Sequence, residues 1–436
     1  MFLPGVDYLS ALAAALASLL SVLLLLAVSR QLWTLAWNVT RDRDNKLPLP
    51  KGSMGWPLLG ETLHWLVQIL ARVFSHAALD NYIPGTQQLV RSWVQRWCEE
   101  RAPVTVYPAT KALTFCIAVR ILLGLQAADH QLDHLSSIFE QLMDNIFSLP
   151  LDLPFSGLRK GIKARNALHE YLEKAITEKL QQSSPGAYPD ALDFMLKSAR
   201  ENGKEPSLQE LKESAVELIF AAFSTTASAC TSLVLLLLQH SHVLQKARQE
   251  LEQHGLIPSC HESERFCGDC DCRRSLSLEV LGRLRYLDCV VKEVLRLLPP
   301  VSGGYRTALQ TFELNGCQIP KGWNIIYSIR DTQETAAVYL NPDRFDPDRF
   351  GPERDESKVG RFNYLPFGGG VRSCIGKELA QVILKTLAIE LIGSAQWELA
   401  SAAYPNMQTV PVVHPVDGLK VRFHRLNDKI NCKYIK

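Results

Sequence analysis

The chain has 436 residues, of which 47% are hydrophobic and 21% are charged, and its formal net charge is +2. These values are typical of a globular protein with a large core, and so small a charge gives no indication of nucleic-acid binding. The odd number of cysteines, eleven in a long chain, argues against a small disulfide scaffold and favours reduced thiols in a cytosol-like compartment.

The N-terminal segment predicts a membrane anchor over residues 1–30. Residues 9–28 are almost wholly apolar (LSALAAALASLLSVLLLLAV), and a helix of that length spans a hydrocarbon core of about 30 Å. A cleaved signal peptide is the alternative, but the apolar run is longer than usual and no Lys or Arg precedes it. Positive charge begins at Arg30, which predicts that the bulk of the protein lies in the cytosol.

Residues 31–60 form a proline-rich spacer, and residues 61–436 follow as a single domain. Pro48, Pro50 and Pro57 favour extended chain and stop the anchor helix from continuing.

The domain is predicted to be mainly α with small β-sheets. From Ile69 to about Gln310, apolar residues recur at spacings of three and four, which predicts helices. The helical pattern is interrupted at 148–157, 182–190 and 258–274. Beyond Gln310 the sequence alternates and turns at Asn315-Gly316, as in a β-hairpin. A helix from about Gly376 and a strand-like C-terminal segment complete the pattern.

The segment FNYLPFGGGVRSCIGKELA, residues 362–380, places Cys374 directly before a helix. A cysteine protease would need a paired histidine signature, and a phosphate loop would need Lys-Ser/Thr after the glycines; neither pattern is present. Helix N–H groups stabilise a negative sulfur, glycines let the backbone approach a flat partner, and Arg372 offers a fork for a carboxylate. Phe367 can lie against an aromatic plane. Together these features predict a flat macrocycle with acidic substituents and a metal bound by thiolate.

Phe367-x-x-Gly370-x-Arg372-x-Cys374-x-Gly376 resembles the haem-binding signature of the cytochrome P-450 monooxygenases. The resemblance implies that Cys374 is the axial ligand of the haem iron, that Arg372 meets a haem propionate, and that all five matched positions belong to the haem site. The alternative is a glycine-rich turn before an ordinary buried cysteine.

Glu293 and Arg296 lie three residues apart in LRYLDCVVKEVLRLLPP, so they share one face of a helix. Such a pair is often a weak surface contact, but its apolar neighbours predict a buried helix, in which charges need partners. Arg349 in FDPDRF supplies a third member. The trio resembles the structural Glu-Arg-Arg cluster of the family, which braces the cysteine loop, and Arg306 resembles a further propionate contact.

The long helix predicted over residues 211–238 carries small and hydroxylated residues in its middle, AAFSTT. Hydroxyls bonded back to helix carbonyls in a close-packed bundle would explain them. In the family, a similar helix crosses the distal haem face, which implies that Thr225 helps to supply protons to activated dioxygen. Ala222 and Ser224 depart from the glycine and the acid that are usual there.

Within the family, the sequence is most similar to the vertebrate retinoic-acid hydroxylases. That resemblance implies ring hydroxylation of all-trans-retinoic acid, with Val301, Ser302 and Gly303 bordering the substrate pocket. It also implies electrons from a membrane-bound NADPH-dependent reductase at the endoplasmic reticulum. The stretches that carry it include FSLPLDLPFSG (147–157), PPVSGGYRTALQTFELNGCQIPKGW (299–323), YSIRDT (327–332) and VVHPVDGL (412–419).

The sequence departs from the family after about residue 68. GSMGWPLLGETLHWLVQ is followed at once by ILARVFSHAALDNYIP, where family members have several further elements, on the order of 80 residues at usual element lengths. We interpret the chain as internally deleted, without part of the N-terminal sheet and the adjacent helices. The alternative function is therefore an impaired or inactive variant that binds haem weakly or only engages the reductase.

A second cysteine cluster lies in SCHESERFCGDCDC, with Cys260, His261, Cys267, Cys270 and Cys272. Its spacing is similar to that of a structural zinc site, and a variable polar loop is the alternative.

Overall fold

The computed structural model describes residues 73–181, 190–201, 206–257, 275–360 and 362–426, together with Ser21. The predicted anchor, the spacer, the deletion junction and the Cys-rich segment of 258–274 lie outside these residues. Within them, no group of three or more potential metal ligands comes together. The chain divides into a smaller unit, Met1–Glu61 with Gly304–Tyr327, and a larger one, Thr62–Gly303 with Ser328–Lys436.

The larger unit is built mainly from helices, as the spacing of apolar residues predicts. In chain order, the helices of the described residues are α1 (His76–Glu99), α2 (Val106–Ile117), α3 (Asp129–Asp144), α4 (Gly157–Gln181), α5 (Ala191–Glu201), α6 (Leu208–Gln239), α7 (Ser241–Gln253), α8 (Leu278–Arg283), α9 (Arg285–Leu297), α10 (Ile329–Thr335) and α11 (Lys377–Ser394).

The strands are short and concentrated late in the chain. They are β1 (Val104–Thr105), β2 (Gly303–Thr307), β3 (Phe312–Leu314), β4 (Cys317–Ile319), β5 (Asn324–Ser328), β6 (Ala395–Leu399), β7 (Met407–Gln408), β8 (His414–Pro415) and β9 (Lys420–Arg425). β9 pairs antiparallel with β1 on one side and with β6 on the other. The predicted class, mainly α with small sheets, is confirmed.

The smaller unit contains the predicted hairpin. β3 and β4 pair antiparallel through a turn in which Asn315 and Gly316 both have positive φ, 50° and 72°, as a two-residue hairpin turn requires. The prediction of helix as far as Gln310 is wrong, because α9 already ends at Leu297 and β2 begins at Gly303. The Pro299-Pro300 pair after α9 prevents the helix from continuing.

The long helix α6 is the centre of the larger unit. It begins at a capping box, in which the Ser207 hydroxyl accepts from the Glu210 backbone N–H and the Glu210 carboxylate accepts from that of Ser207. Helices α2, α4, α7, α9 and α11 all pack against it. Helix α6 is long and apolar enough to cross a membrane, but 78% of its most apolar window is buried inside the protein. We therefore describe α6 as a core helix.

Helix α11, which follows the cysteine loop, is fixed by buried polar contacts with two other helices. The Glu390 carboxylate accepts hydrogen bonds from Gln87 Nε2 at 3.0 Å and from Arg91 Nε at 3.3 Å, both on α1. On another side, Lys385 Nζ lies 2.8 Å from Asp288 of α9. Since Glu390 is 1% exposed, removal of these partners would leave a charge without compensation.

Candidate functional site

The cysteine loop is closed by a backbone hydrogen bond across its glycines. The N–H of Cys374 donates to the carbonyl of Phe367 at 2.8 Å, and Gly368 and Gly370 take positive φ values of 69° and 73°. Residues with a Cβ rarely adopt this conformation, so the turn depends on glycine at these two positions. The result is a tight loop that leaves Cys374 exposed.

The start of α11 acts on the Cys374 sulfur. Gly376 is the N-cap of this helix, and the hydrogen bond from its backbone N–H and the charge of Lys377 both lower the pKa of the thiol. Desolvation by the surrounding protein atoms is the larger influence and raises the Cys374 pKa above its ordinary value. The free thiol is therefore favoured unless a cation binds the sulfur, because only the thiolate gains from an added positive charge.

The other loop residues predicted from the signature surround this cysteine in the way that a flat, acidic cofactor requires. Phe367 is half-buried and packs against the main core. Nothing would contact a Cβ at Gly370 within 4 Å, so this side of the loop is open. The exposed Arg372 forms no ion pair with the described part of the chain, and its guanidinium is available to a carboxylate. These features fit a haem group. The exposed sulfur can bind its iron, the open surface at Gly370 leaves room for the ring, and the Arg372 guanidinium can pair with a propionate.

Behind the loop, the three predicted charged residues form one buried network. Arg296 Nε donates to Glu293 at 2.7 Å and Arg349 Nε donates to it at 3.2 Å, and all three residues are at most 2% exposed. The Asp346 backbone N–H donates to the same carboxylate. Burial raises the pKa of Glu293, and the hydrogen bonds and charges of the two guanidiniums offset part of that shift.

Backbone carbonyls accept further hydrogen bonds from the two arginines, although the buried Nη1 of Arg296 has no partner among the described residues. Arg296 Nη2 donates to the carbonyl of Pro342 at 2.6 Å, and Arg349 donates to those of Leu340 and Asn341 at 2.6 and 2.7 Å. Each guanidinium therefore joins Glu293 to the segment 340–344. A buried ion pair is strongly stabilised only when its remaining hydrogen-bonding groups are also paired.

Sequence reasoning missed the contacts that connect this network to the cysteine loop. Gln333, fully buried on α10, donates through Nε2 to the carbonyl of Arg296 at 2.9 Å and accepts through Oε1 from the N–H of Leu365 at 3.2 Å. Tyr339 lies over the Arg296 guanidinium and donates to the carbonyl of Asn363 at 3.2 Å. Neither residue has a motif around it, so only the fold could identify them.

One stripe of α6 is open although the helix is otherwise a core element. Phe220 is 45% exposed and Ala221 is also exposed, whereas the residues from Thr226 to Leu237 are all buried. Thr225 is half-exposed at the edge of this stripe, and its hydroxyl donates to the carbonyl of Ala221 at 2.7 Å. A hydrogen bond from a hydroxyl to the carbonyl one turn earlier is typical of a threonine that only packs within a helix. The exposure of the Thr225 side chain, in contrast, is typical of a residue that acts on a bound molecule.

Of the predicted pocket residues, Val301 is 38% exposed, and Ser302 and Gly303 are half-buried. They follow directly after α9. Arg306 lies in the smaller unit, where it donates to Tyr327 Oη at 3.2 Å and stacks on that ring.

Comparison with known proteins decides the family. The family model Cytochrome P450 matches residues 70–423. The chain belongs to the cytochrome P450 family. The solved structures agree: a "Retinoic acid bound cyanobacterial CYP120A1" superposes with a TM-score of 0.72 at 34% identity, covering 83% of this chain and 78% of that one. The predicted fold, haem-thiolate monooxygenase chemistry and haem cofactor with electrons from NADPH through a reductase are thereby confirmed.

Curated P450 relatives extend the similarity to a subfamily. Human "Cytochrome P450 26C1" is 52% identical over 99% of this chain and 99% of its own. Human "Cytochrome P450 26B1" is 45% identical over 99% of this chain and 97% of its own. The prediction that the chain is a P450 of the retinoic-acid hydroxylase subfamily is confirmed by these matches.

The length of the first of these P450 alignments bears on the deletion. It extends over 515 positions, which is 79 more than the 436 residues of this chain, so the alignment contains at least that many gaps on this side. The family match begins at residue 70, next to the predicted junction.

Proposed function

We propose that this chain, in its shortened form, hydroxylates all-trans-retinoic acid and thereby removes it as a signalling ligand. The observation that carries the proposal is the exposed Cys374 sulfur at the start of α11, in a loop whose open side and free arginine fit haem. The P450 relatives supply the reaction class, and one similar solved structure is that of a cyanobacterial P450 with retinoic acid bound.

In this proposal Cys374 is the axial ligand of the haem iron. Arg372 pairs with a propionate, Phe367 lies against the macrocycle, and Gly370 and Gly376 leave room for it. When bound through a thiolate, haem supplies activation of dioxygen for insertion of an oxygen atom into a C–H bond.

Thr225 holds a proton at its Oγ1 on the open stripe of α6. The hydroxyl already donates to the Ala221 carbonyl, which fixes its orientation while its oxygen remains free to accept from water. To pass a proton on, the hydroxyl would release the Ala221 carbonyl, give its own proton to the reacting oxygen and take another from a water molecule, so that it would not itself become charged.

Val301, Ser302 and Gly303 border the substrate. A retinoid is a long apolar molecule with one carboxylate, and an apolar side chain that is 38% exposed beside a bend of the backbone, as Val301 is, suits its ring or polyene. Burial of such contacts stabilises binding by about 25 cal/mol for each Å² of apolar surface removed from water.

Membrane association follows for a P450 of this group with a lipophilic substrate and a redox partner. We assign the anchor to residues 1–30 and the spacer to 31–60, with the domain 61–436 on the cytosolic side of the endoplasmic reticulum. A shared membrane concentrates both the retinoid and the NADPH-dependent reductase near the domain.

Glu293, Arg296 and Arg349 have a structural role in this account. Their ion pairs and carbonyl contacts hold the chain around the cysteine loop without residues from before the junction. That independence supports haem binding by an internally deleted chain.

The test is turnover of all-trans-retinoic acid in vesicles that contain the purified chain, NADPH and a P450 reductase. Hydroxylated product is expected with the wild-type chain and not with Cys374→Ala, while Cys317→Ala, which removes a half-exposed cysteine on β4, retains activity. Haem-containing protein without product would establish the alternative, an inactive variant.

A further inference from the structure

Ser228 lies where the open stripe of α6 ends. At about 100° per residue, helix positions 217, 221, 225 and 228 fall within about 80° of one another, so they share a face. Glu217 and Ala221 are exposed and Thr225 is half-exposed, but Ser228 is fully buried. Something therefore covers the helix one turn beyond Thr225.

Val413 contacts α6 at this point, and a pair of hydrogen bonds holds this end of the segment 409–413. The Ser228 hydroxyl donates to the carbonyl of Val413 at 2.5 Å. The N–H of the same Val413 donates to the carbonyl of Pro300 at 3.0 Å. A single residue, Val413, thus joins the helix to the backbone that precedes Val301.

The near end of the segment is held by Ser302. Its hydroxyl donates to the carbonyl of Thr409 at 3.0 Å, and its own carbonyl accepts from the N–H of Ile329 at 2.8 Å. Between the two ends, Val410 is 68% exposed. Hydrogen bonds to Pro300 and Ser302 thus place the segment beside Val301, and one hydroxyl attaches it to α6. We call the segment 409–413 together with Val301 the wall.

We propose that Ser228 is a positioning residue that fixes this wall relative to Thr225 and so determines which carbon of the substrate is hydroxylated. The inference rests on the proposed function for its substrate. Ser228 does not touch the reacting atoms; it acts through Val413. A wall placed one helical turn from the proton donor limits how far an elongated substrate can slide along the stripe.

The experiment compares Ser228→Ala with Ser232→Ala. Ser232 is the next serine on the same helix and is also fully buried, but its hydroxyl has no hydrogen-bond partner among the described residues. Ser232→Ala therefore removes the same hydroxyl oxygen without breaking a hydrogen bond to the segment 409–413. Ser228→Ala is expected to change the ratio of hydroxylated retinoic-acid products. It is also expected to raise the substrate dissociation constant by about two- to tenfold, the range that one neutral hydrogen bond covers. Ser232→Ala is expected to change neither.

Hydrogen exchange of the backbone in 409–415, followed by mass spectrometry, tests the tether itself. Faster exchange is expected in Ser228→Ala and not in Ser232→Ala, whether or not the chain turns over retinoic acid. If the proposed function is wrong, the wild-type chain forms no hydroxylated product. If the tether is wrong, hydrogen exchange in 409–415 is the same in Ser228→Ala as in the wild-type chain.

Ser302→Ala releases the other end of the segment without altering α6, and it decides the matter if Ser228→Ala does not fold. It is expected to speed exchange in 409–415, and only the exchange is measured for this variant, because Ser302 also borders the proposed substrate pocket. Unchanged exchange in the tether variants, or a product ratio in Ser228→Ala equal to that of Ser232→Ala, would overturn the proposal.

Discussion

The two sides of the site differ in how completely the described chain encloses them. On the cysteine side, Glu293, Arg296 and Arg349 are at most 2% exposed and are paired with one another and with backbone carbonyls. On the α6 side, Phe220 is 45% exposed and Ala221 is uncovered. On the cysteine side, these contacts are made by residues after Ile69, so they form without the segment that we infer to be deleted. The second side is left open by the described residues, and in the proposed function it is the face that meets the substrate.

Glu293→Ala is expected to cause the largest loss of stability on the cysteine side of the site. It leaves two buried guanidiniums without their shared carboxylate, which costs about 3–5 kcal/mol in the free energy of unfolding. Glu334→Ala is the matched control, because its pair with Arg330 is exposed, at 38% and 44% for the two side chains, and such pairs contribute about 0–1 kcal/mol. Urea unfolding of both variants measures the difference; equal losses would contradict the bracing role.

Thr225→Ala tests the α6 side without affecting the brace. Loss of a proton donor lowers the rate of product formation by about 100-fold, and folding and haem content should stay at wild-type values because Thr225 bonds only within its own helix. Thr225→Ser keeps the hydroxyl and should restore most of the rate. If Thr225→Ala hydroxylated retinoic acid as fast as the wild-type chain, the residue would be a packing residue only.

Gln333→Leu makes a smaller change on the cysteine side. It leaves the Arg296 carbonyl and the Leu365 N–H without the amide that joins them, which costs about 1–3 kcal/mol. Gln333→Glu retains the acceptor but places an ionisable carboxyl group in a fully buried position against a backbone carbonyl, so it should destabilise the chain at least as much as Gln333→Leu. Unfolding and haem retention are measured together, and a Gln333→Leu chain that kept both would show that the loop is held by other contacts.

The sequence allowed good predictions wherever function depends on local pattern. The cysteine loop, the trio of charged residues and the Asn315-Gly316 turn could be recognised because their spacing follows directly from helix period, turn geometry or a signature. The sequence predicts α6 within a few residues of its bounds, Leu208–Gln239, because its helical pattern is long and no glycine or proline interrupts it.

Contacts between distant parts of the chain could not be predicted in this way. Gln333, Tyr339 and Ser228 act through backbone carbonyls, which carry no sequence information, and their partners are remote or in another element. The helical pattern predicted as far as Gln310 runs past the end of α9 at Leu297, because spacing alone does not mark where a helix stops; the Pro299-Pro300 pair is the local signal for that end.

The central claim is that Cys374 binds the haem iron in this chain as it stands. The most direct test is the absorption spectrum of the reduced, carbon-monoxide-treated protein, produced with ample haem precursor. The wild-type chain should show the red-shifted band of a thiolate-bound iron, and Cys374→Ala should lack it while Cys317→Ala retains it. A colourless wild-type protein, or the same band in Cys374→Ala, would contradict the claim.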